Sequence, residues 1–303
     1  MALQSLPIDH HLPEIIKRIN PNDLATQAMI LTSSAGSGKT TRLPVALLQA
    51  VKASGSTKKI IVLVPKRIAA VSATQRICDE NNWRLGEEVG FEVRFENRTS
   101  AQTQLIFMTT GLFLKKTLSG KIMDQVGWII FDEFHERLLE NDFLLGYCRE
   151  LKILGGQLQI IVMSATLSMD ALKPYLQTEN IYQIDEKPFK LDVHYSAKTQ
   201  FLQCNEQFYE HLKQTTLKAL QLPTANLLIF LPGVKEINRA SQILRADLSQ
   251  REFLVFHGQL SLDEQRNVIQ LLQNSVDAKK KIYRPGNKYL RDLFNPAKHG
   301  WCH

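Results

Sequence analysis

The chain has few cysteines and no long apolar run. Its four cysteines lie far apart and form no Cys-x-x-Cys pair: Cys78, Cys148, Cys204 and Cys302. This spacing indicates neither a zinc site nor a disulfide framework, and reduced thiols are typical of the cytosol. No stretch approaches the roughly 18 consecutive apolar residues of a membrane span. Residues 1–13 lack an apolar core of signal-peptide length, so we expect a cytoplasmic location and no membrane partner.

Internal repeats and low-complexity segments are also absent, which leaves an ordinary globular composition. Hydrophobic residues make up 44% and charged residues 22% of the 303 positions, enough to build a buried core. This length allows two domains. The net charge of +7 and the pI of about 9.2 suit a polyanionic partner, although many basic proteins have none.

Short apolar segments alternate with amphipathic segments through the first half of the chain. This alternation predicts right-handed βαβ units, and hence an α/β fold with a parallel sheet flanked by helices. The predicted strands are Ala28–Leu31, Lys59–Val64, Leu105–Met108, Trp128–Phe131 and Gln159–Met163, and Ile68–Glu80 is a predicted helix. Each strand is followed by a polar loop, and ligands bind at that edge of open parallel sheets.

The regular alternation stops near residues 185–188, where we place a domain boundary. A second strand and helix pattern follows, with predicted strands at Asn226–Leu231 and Phe253–Phe256 and predicted helices at Glu236–Leu248 and Ser261–Leu272. Ser261 with Glu264 three residues later has the spacing of a capping box at a helix start.

Residues 33–40 read Ser-Ser-Ala-Gly-Ser-Gly-Lys-Thr between a predicted strand and a predicted helix. Strand, glycine-rich loop and helix are the context of a P-loop, whose backbone N–H groups surround phosphates at a helix amino end. The pattern usually begins with glycine, and Ser33 stands there instead. Lys39 can reach the β- and γ-phosphates, and the Thr40 hydroxyl can bind Mg²⁺. The predicted nucleotide-binding residues are Gly36, Ser37, Gly38, Lys39, Thr40 and Thr41.

A pair of carboxylates follows the apolar strand that ends at Phe131. Asp132 at a strand end can hold Mg²⁺, usually through water, while Glu133 can polarise an attacking water. Phosphoryl transfer needs mainly positioning and charge neutralisation, which Lys39, Mg²⁺ and an acid can supply. These residues together predict a site for a nucleoside triphosphate with Mg²⁺.

These motifs resemble those of the DEAH-box group of superfamily 2 helicases, and a bacterial branch of that group is the most similar. The similar segments are Ser34–Thr40 for motif I, Asp132–Arg137 for motif II and Ser164–Thr166 for motif III. Further similar segments are Gly90–Asn97, Leu231–Gly233 and Gly258–Leu262. The resemblance covers about residues 20 to 282. It implies a RecA-like fold and ATP hydrolysis coupled to RNA binding or remodelling.

The resemblance also implies roles for other residues. The residues matching nucleic-acid backbone contacts in motifs Ia and Ib are Lys66, Arg67, Thr109, Thr110 and Gly111. Lys66 replaces a more usual arginine, which keeps the charge and loses the bidentate fork. Arg76 matches the position that stacks on adenine, and a solvated helix arginine is the other interpretation. Residues matching the coupling between hydrolysis and strand movement are His135, Ser164 and Thr166.

The chain departs from the family pattern after Ile282. Helicases of this group have two RecA-like domains, and the second supplies motifs V and VI with arginines that reach the γ-phosphate. We therefore expect a first RecA-like domain in residues 1–185, a partial second one in 186–282 and a divergent tail in 283–303, as in a truncated helicase. A frameshift after Ile282 is one hypothesis for such a tail.

Two alternative functions stay open from the sequence. One is a binding module that holds ATP and RNA without unwinding. The other is a P-loop ATPase that acts on DNA or on a protein. We expect single-stranded RNA with little sequence preference, because contacts to phosphate and sugar carry no sequence information directly. Nothing in the sequence indicates a protein partner.

Overall fold

A computed structural model describes residues 5–23, 28–34, 36–120, 122–165, 171–185, 193–195, 204–221, 227–248 and 251–278. By its internal contacts the chain forms two compact units, Met1–Lys190 and Leu191–His303. The assignment of residues 186–282 to a partial RecA-like domain stays a prediction. The predicted tail at 283–303 lies outside the described residues.

The described part of the first unit contains an eight-stranded sheet. Its strands are β1 (Met29–Ser33), β2 (Lys59–Val64), β3 (Val89–Val93), β4 (Glu96–Arg98), β5 (Leu105–Thr109), β6 (Val126–Phe131), β7 (Gln159–Ser164) and β8 (Ile181–Ile184). They lie side by side in the order β4-β3-β5-β2-β6-β7-β1-β8. Every neighbouring pair is parallel except β3 and β4, which form an antiparallel hairpin at one edge.

Helices follow most of these strands and cover the sheet. They are α1 (Leu12–Ile19), α2 (Lys39–Ala53), α3 (Arg67–Asn81), α4 (Thr110–Leu118), α5 (Leu139–Ile153) and α6 (Leu172–Leu176). The strands β1 and β6 are buried along their whole length, as near-continuous apolar runs are in a parallel sheet covered on both faces. Side chains such as Phe113 from α4 and Leu144 from α5 pack with the sheet residue Phe131 in one core cluster.

All five strands predicted for the first half are present, with ends that differ by at most two residues. The predicted helix at Ile68–Glu80 is α3. Strands β3, β4 and β8 were not predicted. The three residues of β4 are polar, and β8 is a four-residue edge strand, Ile-Tyr-Gln-Ile, in which Ile184 alone is buried, so neither contains a run of buried apolar residues.

The second unit contains three helices among its described residues: α7 (Glu206–Ala219), α8 (Val234–Asp247) and α9 (Leu262–Ala278). The predicted capping box begins α9. The Ser261 N–H donates to Oε2 of Glu264 at 2.8 Å, and the Glu264 N–H donates to Oγ of Ser261 at 3.2 Å. The helices predicted at residues 236–248 and 261–272 are therefore confirmed.

The two strands predicted for the second unit are wrong within the described residues. Residues 227–231 and 252–257 form no regular secondary structure. Leu227, Leu228 and Phe230 are 41%, 54% and 42% exposed. An apolar run becomes a buried strand only when neighbouring strands satisfy its backbone groups. The described part of this unit provides no such neighbour.

Candidate nucleotide and nucleic-acid sites

The glycine-rich loop joins β1 to α2 at the carboxyl edge of the sheet. Gly36 and Gly38 have φ angles of 81° and 94°, a region that side chains with a Cβ rarely adopt. The second of these glycines is the residue that precedes the first turn of α2, so the loop runs directly into a helix amino end. This is the P-loop geometry that the sequence predicts. Ala35 lies outside the described residues.

Ser33, the departure from the usual pattern, has a structural explanation. Its hydroxyl and that of Ser37 lie 2.7 Å apart, and both side chains are buried. This hydrogen bond ties the end of β1 to the middle of the loop. Serine at this position therefore supports the loop in a way that glycine could not.

Lys39 is the first residue of α2 and is only 3% exposed. Its Nζ donates to the carbonyl of Ser33 at 3.2 Å, which holds the ammonium over the loop. Burying a cation is costly without an opposite charge or several hydrogen bonds. A bound phosphate would supply both, as expected for the P-loop lysine.

The hydroxyl of Thr40 donates a 2.7 Å hydrogen bond to Oδ2 of Asp132, which is 1% exposed. The other carboxylate oxygen accepts from the N–H of Glu133 at 2.9 Å. A hydroxyl and a carboxylate are oxygen ligands of the kind Mg²⁺ prefers, and Mg²⁺ in such sites keeps several waters and binds substrate phosphates. Among the described residues no group of three His, Cys, Asp or Glu could hold a metal alone. The residues thus fit Mg²⁺ bound together with a triphosphate.

The loop after β6 holds Glu133 in a left-handed backbone conformation, with φ of 57°. A residue without glycine's freedom in this region is often found at functional sites, where the surrounding structure enforces the strain. Arg137, at the other end of the loop, is also left-handed, with φ of 49°. Its guanidinium donates to both oxygens of Asp142 at 3.1 and 2.9 Å. The carboxylate loop, residues 132–138, thus has a left-handed residue near each end and an ion pair to the first turn of α5.

His135, within the carboxylate loop, contacts both Glu133 and the residue that follows β7. Its Nε2 is 3.5 Å from Oε2 of Glu133, and its Nδ1 accepts from the N–H of Ala165 at 3.5 Å. Ser164, the residue before Ala165, is buried. The predicted coupling residue His135 thus lies near Glu133, and Ser164 immediately precedes the residue that contacts His135, while Thr166 lies outside the described residues.

Thr41 and Arg76 occupy different surroundings. The hydroxyl of Thr41 donates to the carbonyl of Gly38 at 3.4 Å, so it supports the loop from within. Arg76 donates to Glu80 at 2.9 Å and is 37% exposed, which leaves its guanidinium partly accessible. Glu80 also lies 3.6 Å from Arg42. Arg76, the predicted adenine-stacking residue, is therefore connected through Glu80 to Arg42 near the start of α2.

The amino-terminal segment, residues 5–11, packs against the P-loop in a way that no motif in the sequence indicates. The N–H of Ile8 donates to the carbonyl of Ser37 at 3.1 Å, and Asp9 lies 3.6 Å from Arg42. A Cβ atom added at Gly38 would lie 2.8 Å from Cδ1 of Leu6 and 3.1 Å from Cγ2 of Ile8. The one signal in the sequence was a series of isoleucines that continues into α1. All three are buried in the structure: Ile8, Ile15 and Ile19.

The predicted nucleic-acid contacts lie on two adjacent strands. Val64 at the end of β2 pairs with Thr109 at the end of β5, so the segments that follow both strands are neighbours. Lys66 and Arg67 are exposed at the start of α3. Thr109 precedes α4, and Gly111 is exposed in its first turn. Thr110 differs, because its side chain is buried.

Together, the parallel sheet, the P-loop and the carboxylate pair after β6 define a RecA-like P-loop protein. The family model for DEAD/DEAH box helicases matches residues 14–174, which is more than half of the chain. The chain belongs to the DEAD/DEAH box helicase family.

Individual relatives support this assignment. The chain is 32% identical over 269 residues to the ATP-dependent RNA helicase HrpB of Escherichia coli strain K12, a match that covers 88% of this chain and 32% of that protein. The crystal structure of the E. coli DEAH/RHA helicase HrpB matches with a TM-score of 0.71 at 31% identity, covering 88% of this chain and 33% of that one. The crystal structure of the E. coli DExH-box NTPase HrpB matches with a TM-score of 0.67 at 31% identity, covering 89% of this chain and 32% of that one. The chain spans about a third of the length of these relatives.

Proposed function

We propose that this chain binds ATP with Mg²⁺ and hydrolyses it to ADP and phosphate in a reaction coupled to single-stranded RNA. The observation that carries the proposal is the 2.7 Å hydrogen bond between Thr40 and Asp132, which joins the P-loop helix to the carboxylate loop. These two oxygens are the groups that would hold Mg²⁺ next to phosphates in the loop.

Each residue has a distinct part in this reaction. The N–H groups of the loop and the Lys39 ammonium bind the phosphate oxygens and offset their charge. Bound Mg²⁺ would neutralise negative charge on the β- and γ-phosphates. Glu133 orients and polarises the attacking water. The contact of His135 with Glu133 favours a role in orienting that carboxylate.

The two helix starts after β2 and β5 support the RNA part of the proposal. Lys66 and Arg67 add exposed positive charge, and the α4 amino end presents backbone N–H groups. Helix amino ends bind phosphate through such groups and through the helix dipole. The overall charge of +7 is consistent with this partner. Phosphate contacts carry no base information, so we expect little sequence preference.

The E. coli relative is named as an ATP-dependent RNA helicase, and we extend that activity to this chain. The proposal includes the unwinding of RNA, as a step that follows ATP hydrolysis and RNA binding. Among the described residues no helix is long and apolar enough to cross a membrane. We propose a cytoplasmic location.

The test is steady-state ATP hydrolysis by the purified chain, alone, with single-stranded poly(U) RNA, and with single-stranded DNA of matched length. The comparison variant carries Lys66→Ala and Arg67→Ala. We expect RNA to raise the rate, and the variant to need more RNA for half-maximal stimulation, with a weaker dependence on salt. Equal stimulation by DNA would favour a DNA-directed ATPase. ATP binding without hydrolysis would favour a binding module.

A further inference from the structure

A buried hydrogen bond links the start of α5, which directly follows the carboxylate loop, to the start of α4. The hydroxyl of Thr110, the first residue of α4, donates to Oδ1 of Asn141 at 2.8 Å. Asn141 lies in the first turn of α5, directly after the loop that carries Asp132 and Glu133. Thr110 is 3% exposed and Asn141 1% exposed. The Thr110 side chain is therefore turned inward, away from any ligand at the surface.

Asn141 is an unusual residue to bury at this point. Its Nδ2 is enclosed and has no hydrogen-bond partner among the described residues. A buried donor without a partner lowers stability, and such groups are rare enough in native proteins to need an explanation. An apolar side chain of similar size would avoid this cost. Among the described residues, the hydrogen bond with Thr110 is the one hydrogen bond of the Asn141 side chain.

The connection from Asn141 back to the carboxylates is short and contains several hydrogen bonds. The N–H groups of Asn141 and Asp142 donate to the carbonyl of Leu138 at 2.9 and 3.1 Å. Asp142 also holds the fork of Arg137 at the end of the carboxylate loop. A movement of the loop around Glu133 would therefore shift the first turn of α5 and the Asn141 amide with it.

We propose that Asn141 is a positioning residue that connects the carboxylate loop to the nucleic-acid site through Thr110. It holds the first turn of α4, so that the backbone N–H groups around Thr110 and Gly111 face an RNA phosphate. Thr110 thereby acts through its position in the backbone, while its hydroxyl serves the link to Asn141. This inference rests on the proposed function, because it assumes that the α4 start binds RNA.

The test measures the affinity of the full chain for fluorescein-labelled single-stranded poly(U) RNA by anisotropy, at one fixed salt concentration and well below the melting temperature. The variants are Thr110→Val, Asn141→Leu and the two combined, all of which nearly keep side-chain volume. Thr110→Ser keeps the hydroxyl and serves as the rescue variant. Thr117→Val is the matched control, because Thr117 is buried in the same helix and its hydroxyl lies 4.0 Å from the Met123 sulfur.

We expect Thr110→Val and Asn141→Leu each to weaken RNA binding about three- to tenfold, as for the loss of one hydrogen bond. The double variant should be no weaker than either single variant, because both remove the same link. Thr110→Ser and Thr117→Val should bind within about twofold of the unmodified chain, since both leave that link in place. Melting temperatures report stability separately, and the double variant, which leaves neither partner of the hydrogen bond unsatisfied, should not melt lower despite its weaker binding.

Three results would overturn the inference. If the single variants bind RNA as tightly as the unmodified chain, the link serves stability alone. If the double variant shows the summed loss of both singles, the two residues act independently. If the unmodified chain itself does not bind RNA, the RNA part of the proposed function fails, and this inference fails with it. The first two results leave the proposed function intact, so the two failures are distinguishable.

Discussion

Thr40 and Asp132 are 92 positions apart in sequence, yet the hydroxyl of one donates to the carboxylate of the other at 2.7 Å. The sheet order explains this proximity. Thr40 follows β1 and Asp132 follows β6, and β7 alone separates these two strands. All three strands are parallel, so their carboxyl ends meet at one edge. The oxygen pair that we assign to Mg²⁺ is thus a direct product of strand order.

The first prediction concerns this oxygen pair. Thr40→Val removes the hydroxyl and nearly keeps the side-chain volume. We expect ATP affinity in Mg²⁺ to fall about tenfold or more, as for the loss of a charge-assisted contact. The difference between titrations in Mg²⁺ and in EDTA should largely disappear. Thr216→Val, at a buried threonine of α7, should leave both titrations unchanged. A Thr40→Val variant with an undiminished magnesium effect would place the metal elsewhere.

The second prediction separates backbone strain from crowding at the P-loop. Gly55→Ala, at φ of 74° with open space around its Cβ, should cost roughly 1–2 kcal/mol of unfolding free energy. Gly38→Ala, at φ of 94°, would also bring a Cβ within 2.8 Å of Leu6. Crowding of this kind adds about 1–3 kcal/mol. Urea unfolding of both variants measures the difference, and equal losses would show that the amino-terminal segment moves away readily.

The third prediction concerns His135, which lies 3.5 Å from Glu133 and accepts a hydrogen bond from Ala165. We expect His135→Ala to lower the rate of ATP hydrolysis about tenfold or more, because Glu133 loses a group that orients it. ATP affinity should fall much less, since the contacts of His135 with Glu133 and Ala165 serve the water-polarising carboxylate and not the phosphate-binding loop. Rates and affinities are compared with those of His211→Ala, a substitution in α7. A loss confined to ATP affinity would contradict the proposed role.

The fourth prediction follows from the burial of Cys148 in α5. Burial raises the pKa of this thiol from 9.0 to about 12. The unfolded chain loses the proton near pH 9 while the folded chain keeps it, so the stabilisation is complete below pH 9 and is lost as the pH rises toward 12. We therefore expect the advantage of the unmodified chain over Cys148→Ala in unfolding free energy to shrink above pH 9. Denaturant titrations at several alkaline pH values measure it, and a constant difference would contradict the burial.

Much of the fold was predictable because the central strands are both apolar and bounded by turns. The runs before Ser33 and Asp132 indicated their strands, and the motif spacing indicated which loops carry the chemistry. The edge of the sheet was harder. In β3 and β4, Glu92 contacts Lys116 of the next helix and Asn97 pairs within a polar hairpin. The edge strand β4 is polar throughout, so its sequence resembles a loop. Strand β3 is fully buried, but Gly90 and Glu92 interrupt its apolar residues.

The candidate site shows the same division. Lys39, Asp132 and Glu133 were predictable because their chemistry is tied to a local motif. Asn141 and Ile8 were not, because their importance comes from distant partners, Thr110 and Ser37. In the second unit an apolar run at residues 227–231 suggested a strand, and a strand requires neighbours that the run itself does not encode.

The most direct test of the account is single-turnover hydrolysis of ATP with Mg²⁺ at saturating protein, comparing the unmodified chain with Glu133→Gln. The substitution keeps the shape of the side chain and removes the carboxylate that polarises water. We expect ATP to bind both proteins and the hydrolysis rate to fall by about a hundredfold or more in the variant, as for the loss of a general base. Equal rates in the two proteins would show that Glu133 does not serve hydrolysis, and would contradict the assignment of the site.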